Sequence, residues 1–469
     1  MTPTLTRRHL LQGSLAGLTA GMSGGCARHL PSRRVVIVGA GLSGLNAALI
    51  LERWGFDPQV VEAQERVGGR LWTLDHLPGS PEGGGNVMGS HYGRILKMAH
   101  DLGVPLRSPP RTLPTDYFIG NQRIPRDDWA SAPANPLPDA WRNTPPSRLM
   151  GKLNASNPLL KTRAWHDPAL MATDQSALSG LRALGFPETA ITLIGTNNSY
   201  GNNLADTSLM SLYRVMGEFG RLSGPALAVQ EATQGNMRLP EAMAGQLARP
   251  VEMGEPVTAV HQSSTETRVT LASGKVLNAD AVIMTLPLPA LQQIDMDLPR
   301  ARANLLGEVD YHKVIQLHCI VEAPFWENAG WGGSWWTDSL LGRIFTRPIP
   351  GTARYNMTVW INGDDCDELN ILNETACTDT ISRALWDLMP DAREVTSVGQ
   401  LVRWSNDPHA GGAWALWRPG QAATAHPALR APAGRVFFAG EHTAESYRGM
   451  EGAMESGERV ALEVMRLLA

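Results

Sequence analysis

The run Arg34-Val35-Val36-Ile37-Val38 is apolar and β-branched and stops at Gly39, which predicts a buried parallel strand. From Leu42 to Gly55 the apolar positions take helical spacing, and Gln59-Val60-Val61-Glu62 is a second short strand, so this stretch predicts a βαβ unit. The pattern then breaks. Prolines at 109, 110, 114, 125, 133, 136, 138, 145 and 146 interrupt regular structure across residues 107–170, predicting long loops and a few helices over a cavity. Residues 171–223 look mainly helical. Strands are expected at Val257–Gln262, Arg268–Ala272 and Ala281–Leu286, with Ser273-Gly274 as a turn, and again at Val314–Val321, Tyr355–Ile361 and Arg435–Phe438. A last helix runs from Gly449 to Leu468. Strands alternating with helices make this an α/β chain, and its 469 residues suit two connected domains.

Composition narrows the function. A formal net charge of −4 gives no electrostatic case for nucleic acid or an anionic membrane surface. Cys26, Cys319, Cys366 and Cys377 form no CxxC pair, so no metal site is expected. Cys366 and Cys377 read as free buried thiols, with pairing open if the chain is exported.

Residues 1–30 read as a targeting segment. Thr6-Arg7-Arg8-His9-Leu10-Leu11 leads into a weakly apolar stretch ending at Met22, and no acid occurs before Glu52. This is the pattern of a twin-arginine signal, implying export of the folded protein to the periplasm. Ser23-Gly24-Gly25 before Cys26 leaves a lipid anchor at Cys26 open, and with it the one route to a membrane.

Gly39-Ala40-Gly41-Leu42-Ser43-Gly44 places GxGxxG between strand and helix. The first glycine permits the tight turn, the second the approach of a pyrophosphate, and the third close packing of helix on strand. The diphosphate then meets the free N–H groups of the helix N-terminus. Glu62 ends the next strand, where a carboxylate accepts hydrogen bonds from ribose hydroxyls.

The segment Glu62-Ala63-Gln64-Glu65-Arg66-Val67-Gly68-Gly69-Arg70 resembles the extended fingerprint of the flavin amine oxidase superfamily, which includes flavin monoamine oxidases, L-amino-acid oxidases and polyamine oxidases. The C-terminal stretches Phe437 to Thr443 and Met450 to Arg459 are similar to the family segment that closes over the flavin. The resemblance implies a Rossmann-type FAD-binding domain (residues 34–105, 224–300 and 400–469) interleaved with an α+β substrate-binding domain (residues 106–223 and 301–399). It implies non-covalent FAD, because the family's cysteine tether near the C-terminus is missing. The cofactor residues it implies are Gly39, Gly41, Leu42, Ser43, Gly44, Glu62, Ala63, Gly69, Arg70, Val257, Gly440, Glu441 and Met450.

At the reacting face, Tyr311-His312-Lys313-Val314 looks like the site of the family's lysine, which holds a water against flavin N5. Trp414, in Gly411-Gly412-Ala413-Trp414, falls where one wall of the family's aromatic cage belongs. The other wall departs from the pattern, with Gly449 standing where Tyr or Trp is common; Tyr447, Trp335 or Trp336 would have to replace it. Near Asn86 to Tyr92 no clear counterpart appears for the arginine that pairs with substrate carboxylate in L-amino-acid oxidases, and the direction of Arg94 is open.

The resemblance therefore implies oxidation of a small-molecule amine. Its α-hydride would pass to flavin N5, giving an imine that hydrolyses to a carbonyl product and an amine or ammonia. Oxygen, a periplasmic cytochrome or a quinone would take the electrons, and a homodimer is compatible with this. Two other readings stay open: a desaturase or protoporphyrinogen-oxidase-like flavoenzyme acting on C–C bonds, and a non-catalytic exported flavoprotein.

Overall fold

In the computed structural model, residues 33–160, 165–220 and 228–469 are described. The expected targeting segment, with Arg7, Arg8 and Cys26, lies outside them.

The β-branched run Arg34–Val38 is the centre of a four-stranded parallel sheet, in the order Asp57–Val61, Arg34–Val38, Ala281–Met284, Val436–Phe438. Val35 to Val38 are buried on both faces, as a continuous apolar run requires. One face carries the helix Leu42–Arg53, which packs along the C-terminal helix Gly449–Leu468. Small residues set that approach. Ser43 Oγ lies 3.0 Å from Ser456 Oγ, and Asn46 Nδ2 donates to Met454 O at 2.8 Å. A Cβ on Gly457 would stand 2.3 Å from Ser43 O. Both helices thus begin at the C-terminal edge of the parallel strands.

A seven-stranded mixed sheet faces this edge. Its order is Thr396–Arg403, Val314–Val321, Tyr355–Asn362, Arg343–Pro348, Ser334–Thr337, Thr115–Ile119, Gln122–Ile124. Strand alternation divides its residues. Ile315, Leu317, Cys319 and Val321 pack with Cys377, Ile381 and Leu385 of the helix Glu374–Leu388. The even-numbered residues turn the other way. Register aligns Gln316, Trp360 and Arg343 in one row, and His318, Thr358 and Phe345 in the next. A third sheet, Val276–Ala279, Thr267–Leu271, Val257–Gln262 and Asp295–Met296, carries Val257 to the same region.

Several elements differ from the reading of the sequence. The proline-rich stretch holds short helices as expected, but also the hairpin Thr115–Ile119/Gln122–Ile124, turned by Gly120 and Asn121 at positive φ. It extends the large sheet by pairing in parallel with Ser334–Thr337. Thr396–Arg403 joins the large sheet although its last residues lie in the segment expected on the cofactor side. Cys366 and Cys377 are both buried and unpaired.

Candidate active site

A cavity of about 490 Å³ lies between the C-terminal edge of the parallel sheet and the even-numbered face of the large sheet. That is within the ordinary range for a ligand or cofactor site. Gly39, Gly41, Leu42, Ser43, Glu62, Ala63, Gly69, Arg70, Val257, Trp414, Gly440, Glu441 and Met450 all line it. Gly44 does not, and its position explains why: a Cβ there would stand 2.0 Å from Gly39 O, so it is the glycine that brings helix against strand. A Cβ on Gly41 meets nothing within 4 Å, which leaves room for a ligand beside its backbone. The helix that follows has no side-chain cap, so its first N–H groups stay available to an anion. Glu62 Oε2 accepts from Ala40 N at 2.7 Å and Oε1 from Gln64 N at 2.9 Å, which orients the carboxylate at the end of its strand.

Arg70 ties three distant segments together. Its Nη1 donates to Ala413 O at 2.8 Å and to Glu441 Oε1 at 3.0 Å, and the same oxygen accepts from Ala415 N at 3.0 Å. Burial would raise the Glu441 pKa, but Arg70, His442 and that backbone N–H outweigh it and hold the carboxyl below its ordinary range. The cradle therefore offers an uncapped helix end, a half-buried cation and a carboxylate at the end of the second strand. These groups fit FAD, with its diphosphate at the helix end and its adenosine ribose at Glu62.

Lys313 requires a correction. Its Nζ donates to Asp364 at 3.0 Å and to Asp367 at 2.8 Å, outside the cavity. The reason is parity: Lys313 shares the face of Ile315 and Leu317, whereas Val314 and Gln316 line the cavity. The residue presented there is Gln316. Thr358 Oγ1 lies 3.2 Å from His318 Nδ1, and His318 Nε2 lies 2.8 Å from Gln316 Oε1. With the threonine donating, the imidazole donates in turn to the Gln316 carbonyl oxygen and leaves the amide –NH2 for the cavity. Burial keeps His318 neutral by lowering its pKa to about 4. A glutamine and a histidine two apart in an otherwise apolar strand were the available signal.

Trp414 lines the cavity and stacks on His312 at 4.8 Å and 20°. Asn362 Oδ1 lies 3.2 Å from His312 Nε2, and burial lowers the His312 pKa to about 3. The opposite wall is open, because a Cβ on Gly449 meets nothing within 4 Å. None of the expected replacements lines the cavity. Trp335 packs with Phe325 and Trp326 on the far side of the large sheet, Trp336 is buried in another core cluster, and Tyr447 lies against His91. The cavity's other aromatic residues are Tyr200, Phe345, Trp360 and Trp404. Arg94 faces away as well, bound to Glu451 and Glu458. Arg343, which the sequence reading missed, lines the cavity instead.

Four buried imidazoles set a pH limit. An imidazole in the unfolded chain titrates near pH 6.5, whereas burial holds His312 at about 3, His318 and His442 at about 4 and His426 at about 2. The unfolded chain therefore binds more protons below pH 6.5, so stability present above that pH is lost as pH falls. Each such proton adds about 1.4 kcal/mol per pH unit to the loss. The melting temperature should hold from pH 8 to 7 and fall steeply below pH 6. A flat profile from pH 7 to 5 would mean that these imidazoles take up protons without unfolding.

The flavin containing amine oxidoreductase family matches residues 42–465. Mouse L-amino-acid oxidase is 27% identical over 94% of this chain and 72% of its own length. The flavin-containing amine oxidase of Oncorhynchus mykiss is 25% identical, covering 92% of this chain and 85% of its own. Among solved structures, cyclohexylamine oxidase from Brevibacterium oxydans superposes with a TM-score of 0.76 at 21% identity over 93% of this chain and 100% of its own. Wild-type putrescine oxidase bound to putrescine superposes with a TM-score of 0.75 at 23% identity, covering 92% and 99%. The chain belongs to the flavin containing amine oxidoreductases, and its reaction is the FAD-dependent oxidation of a small-molecule amine.

Proposed function

We propose that the amine is oxidised in the space between Trp414 and the row Gln316, Trp360 and Arg343, with FAD held by Gly39 to Gly44, Glu62 to Arg70 and Gly440 to Met450. The supporting observation is that these separated segments meet at one cavity. Bound there, FAD supplies the oxidant that accepts hydride at N5 from the α-carbon of the amine. The protein's part is to bind, orient and desolvate. Trp414, stiffened by its stack on neutral His312, is a rigid apolar wall for the carbon skeleton. Desolvation in the cavity lowers the pKa of a bound ammonium, favouring the neutral amine whose lone pair the reaction needs. Gln316 contributes a neutral N–H donor where the sequence reading expected a cation. The open side at Gly449 admits a substrate broader than a flat arylalkylamine. Purified protein should carry one oxidised FAD per chain and release hydrogen peroxide when it turns over an amine in air. Turnover that needs an added cytochrome or quinone would reassign the acceptor.

Two further expectations belong to this reading. Cys319, Cys366 and Cys377 are buried away from the cavity, so acid precipitation should leave all the flavin in the supernatant. Flavin pelleting with the protein would reveal a covalent bond. The Arg7-Arg8 pattern supports twin-arginine export, and replacing both by lysine should leave the protein in the cytoplasmic fraction. Unchanged periplasmic recovery would exclude that route.

A further inference from the structure

Among the described enclosed arginines, Arg343 and Arg347 bind neither a carboxylate nor a backbone carbonyl, and of the two only Arg343 lines the cavity. Arg70 pairs with Glu441, Arg94 with Glu451, Arg448 with Glu218 and Arg459 with Glu463. Arg302 spends its guanidinium on the carbonyls of Leu429 and Ala431. Arg343 donates from Nη2 to Ser199 Oγ, its Nε has no partner, and no carboxylate among the described residues pairs with it. A guanidinium offers five donors in a planar fork. Enclosing one without an anion is costly unless the anion arrives with the ligand. Desolvation by burial accordingly lowers the Arg343 pKa.

Its placement shows which ligand it serves. The cation at the dinucleotide cradle is Arg70, across the cavity on the side of the parallel sheet. Arg343 sits on the large sheet, in the same cross-strand row as Trp360 and Gln316. Two strand spacings put its Cα about 10 Å from that of Gln316, and the long side chain shortens the gap. Ser199 fixes the guanidinium and also lies 3.4 Å from Asn362 Oδ1, the oxygen that contacts His312 behind Trp414. One network thus holds both the carbon-skeleton wall and the unpaired cation.

We propose that Arg343, positioned by Ser199, binds a carboxylate of the substrate, so that the preferred substrate is an amine that also carries a carboxylate. This rests on the amine-oxidising reading and names its substrate class. The carboxylate belongs either to an α-amino acid or to a longer ω-amino acid, and matched compounds separate the two.

The test uses the FAD-loaded enzyme under anaerobic conditions. Leucine is compared with 3-methylbutylamine and leucine methyl ester, and 5-aminopentanoate with pentylamine. 4-Methylpentanoate, which has no amine to oxidise, serves as a binding probe read by the change in the oxidised flavin spectrum. One acid should reduce the flavin at least about 10-fold more efficiently than its matched amine. Arg343→Met should lower that efficiency about 100-fold and abolish the spectral change, and should lower the matched amine's efficiency at least about 10-fold less, so that the acid loses its advantage over the amine. Arg343→Lys, which keeps the charge but loses the fork, should fall between. Amines that equal or exceed their acids, or an Arg343→Met enzyme that loses acid and amine alike, would overturn the proposal. If no compound reduces the flavin, the amine-oxidising reading fails instead. The 4-methylpentanoate titration then decides alone: binding lost in Arg343→Met supports a carboxylate site, and no binding in the parent enzyme refutes it.

Discussion

Gly44→Ala should cost the protein both its cofactor and much of its stability. The added Cβ would stand 2.0 Å from Gly39 O, and both partners are backbone, so no side chain can swing aside. Relief requires the helix Leu42–Arg53 to withdraw from its strand. That moves the N–H groups meant for the diphosphate and disturbs the Ser43–Ser456 contact with the C-terminal helix. Overpacking of this kind costs about 3 kcal/mol. Gly41→Ala is the informative comparison. Gly41 has φ −76, which any residue adopts, and its Cβ would meet only open cavity. The Gly41→Ala apoprotein should therefore melt like the parent, yet bind FAD poorly, because the methyl occupies the phosphate's place. Melting of the apoproteins beside FAD titrations checks both. Equal stability of the Gly44→Ala and parent apoproteins would contradict the packing argument.

The second large effect separates two residues three apart in the chain. Gln316→Leu should slow flavin reduction by about 10- to 100-fold, since it removes the neutral amide donor that the large sheet presents to the reacting face. Lys313→Met should leave both half-reactions within about 2-fold and lower stability by about 1 kcal/mol through loss of its pairs with Asp364 and Asp367. Rapid-reaction measurement of reduction and reoxidation distinguishes them. A Lys313→Met enzyme with slowed chemistry would return the lysine to the site.

This pair shows where reading the chain succeeds and where it stops. The dinucleotide cradle is legible because local rules dictate it: a buried strand, a tight glycine turn, an uncapped helix and an acid on the next strand all lie within residues 34–70. The reacting face is assembled from strands far apart in sequence. Lys313 and Gln316 belong to the same short stretch, and only the phase of the alternation assigns one to the surface and the other to the cavity. Ile315, Leu317, Cys319 and Val321 are apolar because they cover the helix Glu374–Leu388, and that contact sets the phase. Arg343 carries no local signal, since an arginine in Arg343–Pro348 reads as solvent-facing until its strand pairs with Tyr355–Asn362 and closes over it. The hairpin at Thr115–Ile124 was hidden by surrounding prolines, although Gly120-Asn121 marks its turn.

Anaerobic single-turnover reduction tests the central claim most directly. Enzyme fully loaded with FAD is mixed, without oxygen, with a panel of amines and amino acids. At least one compound should bleach the oxidised flavin completely and yield its carbonyl product, at a rate that falls in the Gln316→Leu enzyme. A flavin that stays oxidised against the whole panel, yet is reduced by dithionite, would contradict the assignment of this cavity to amine oxidation.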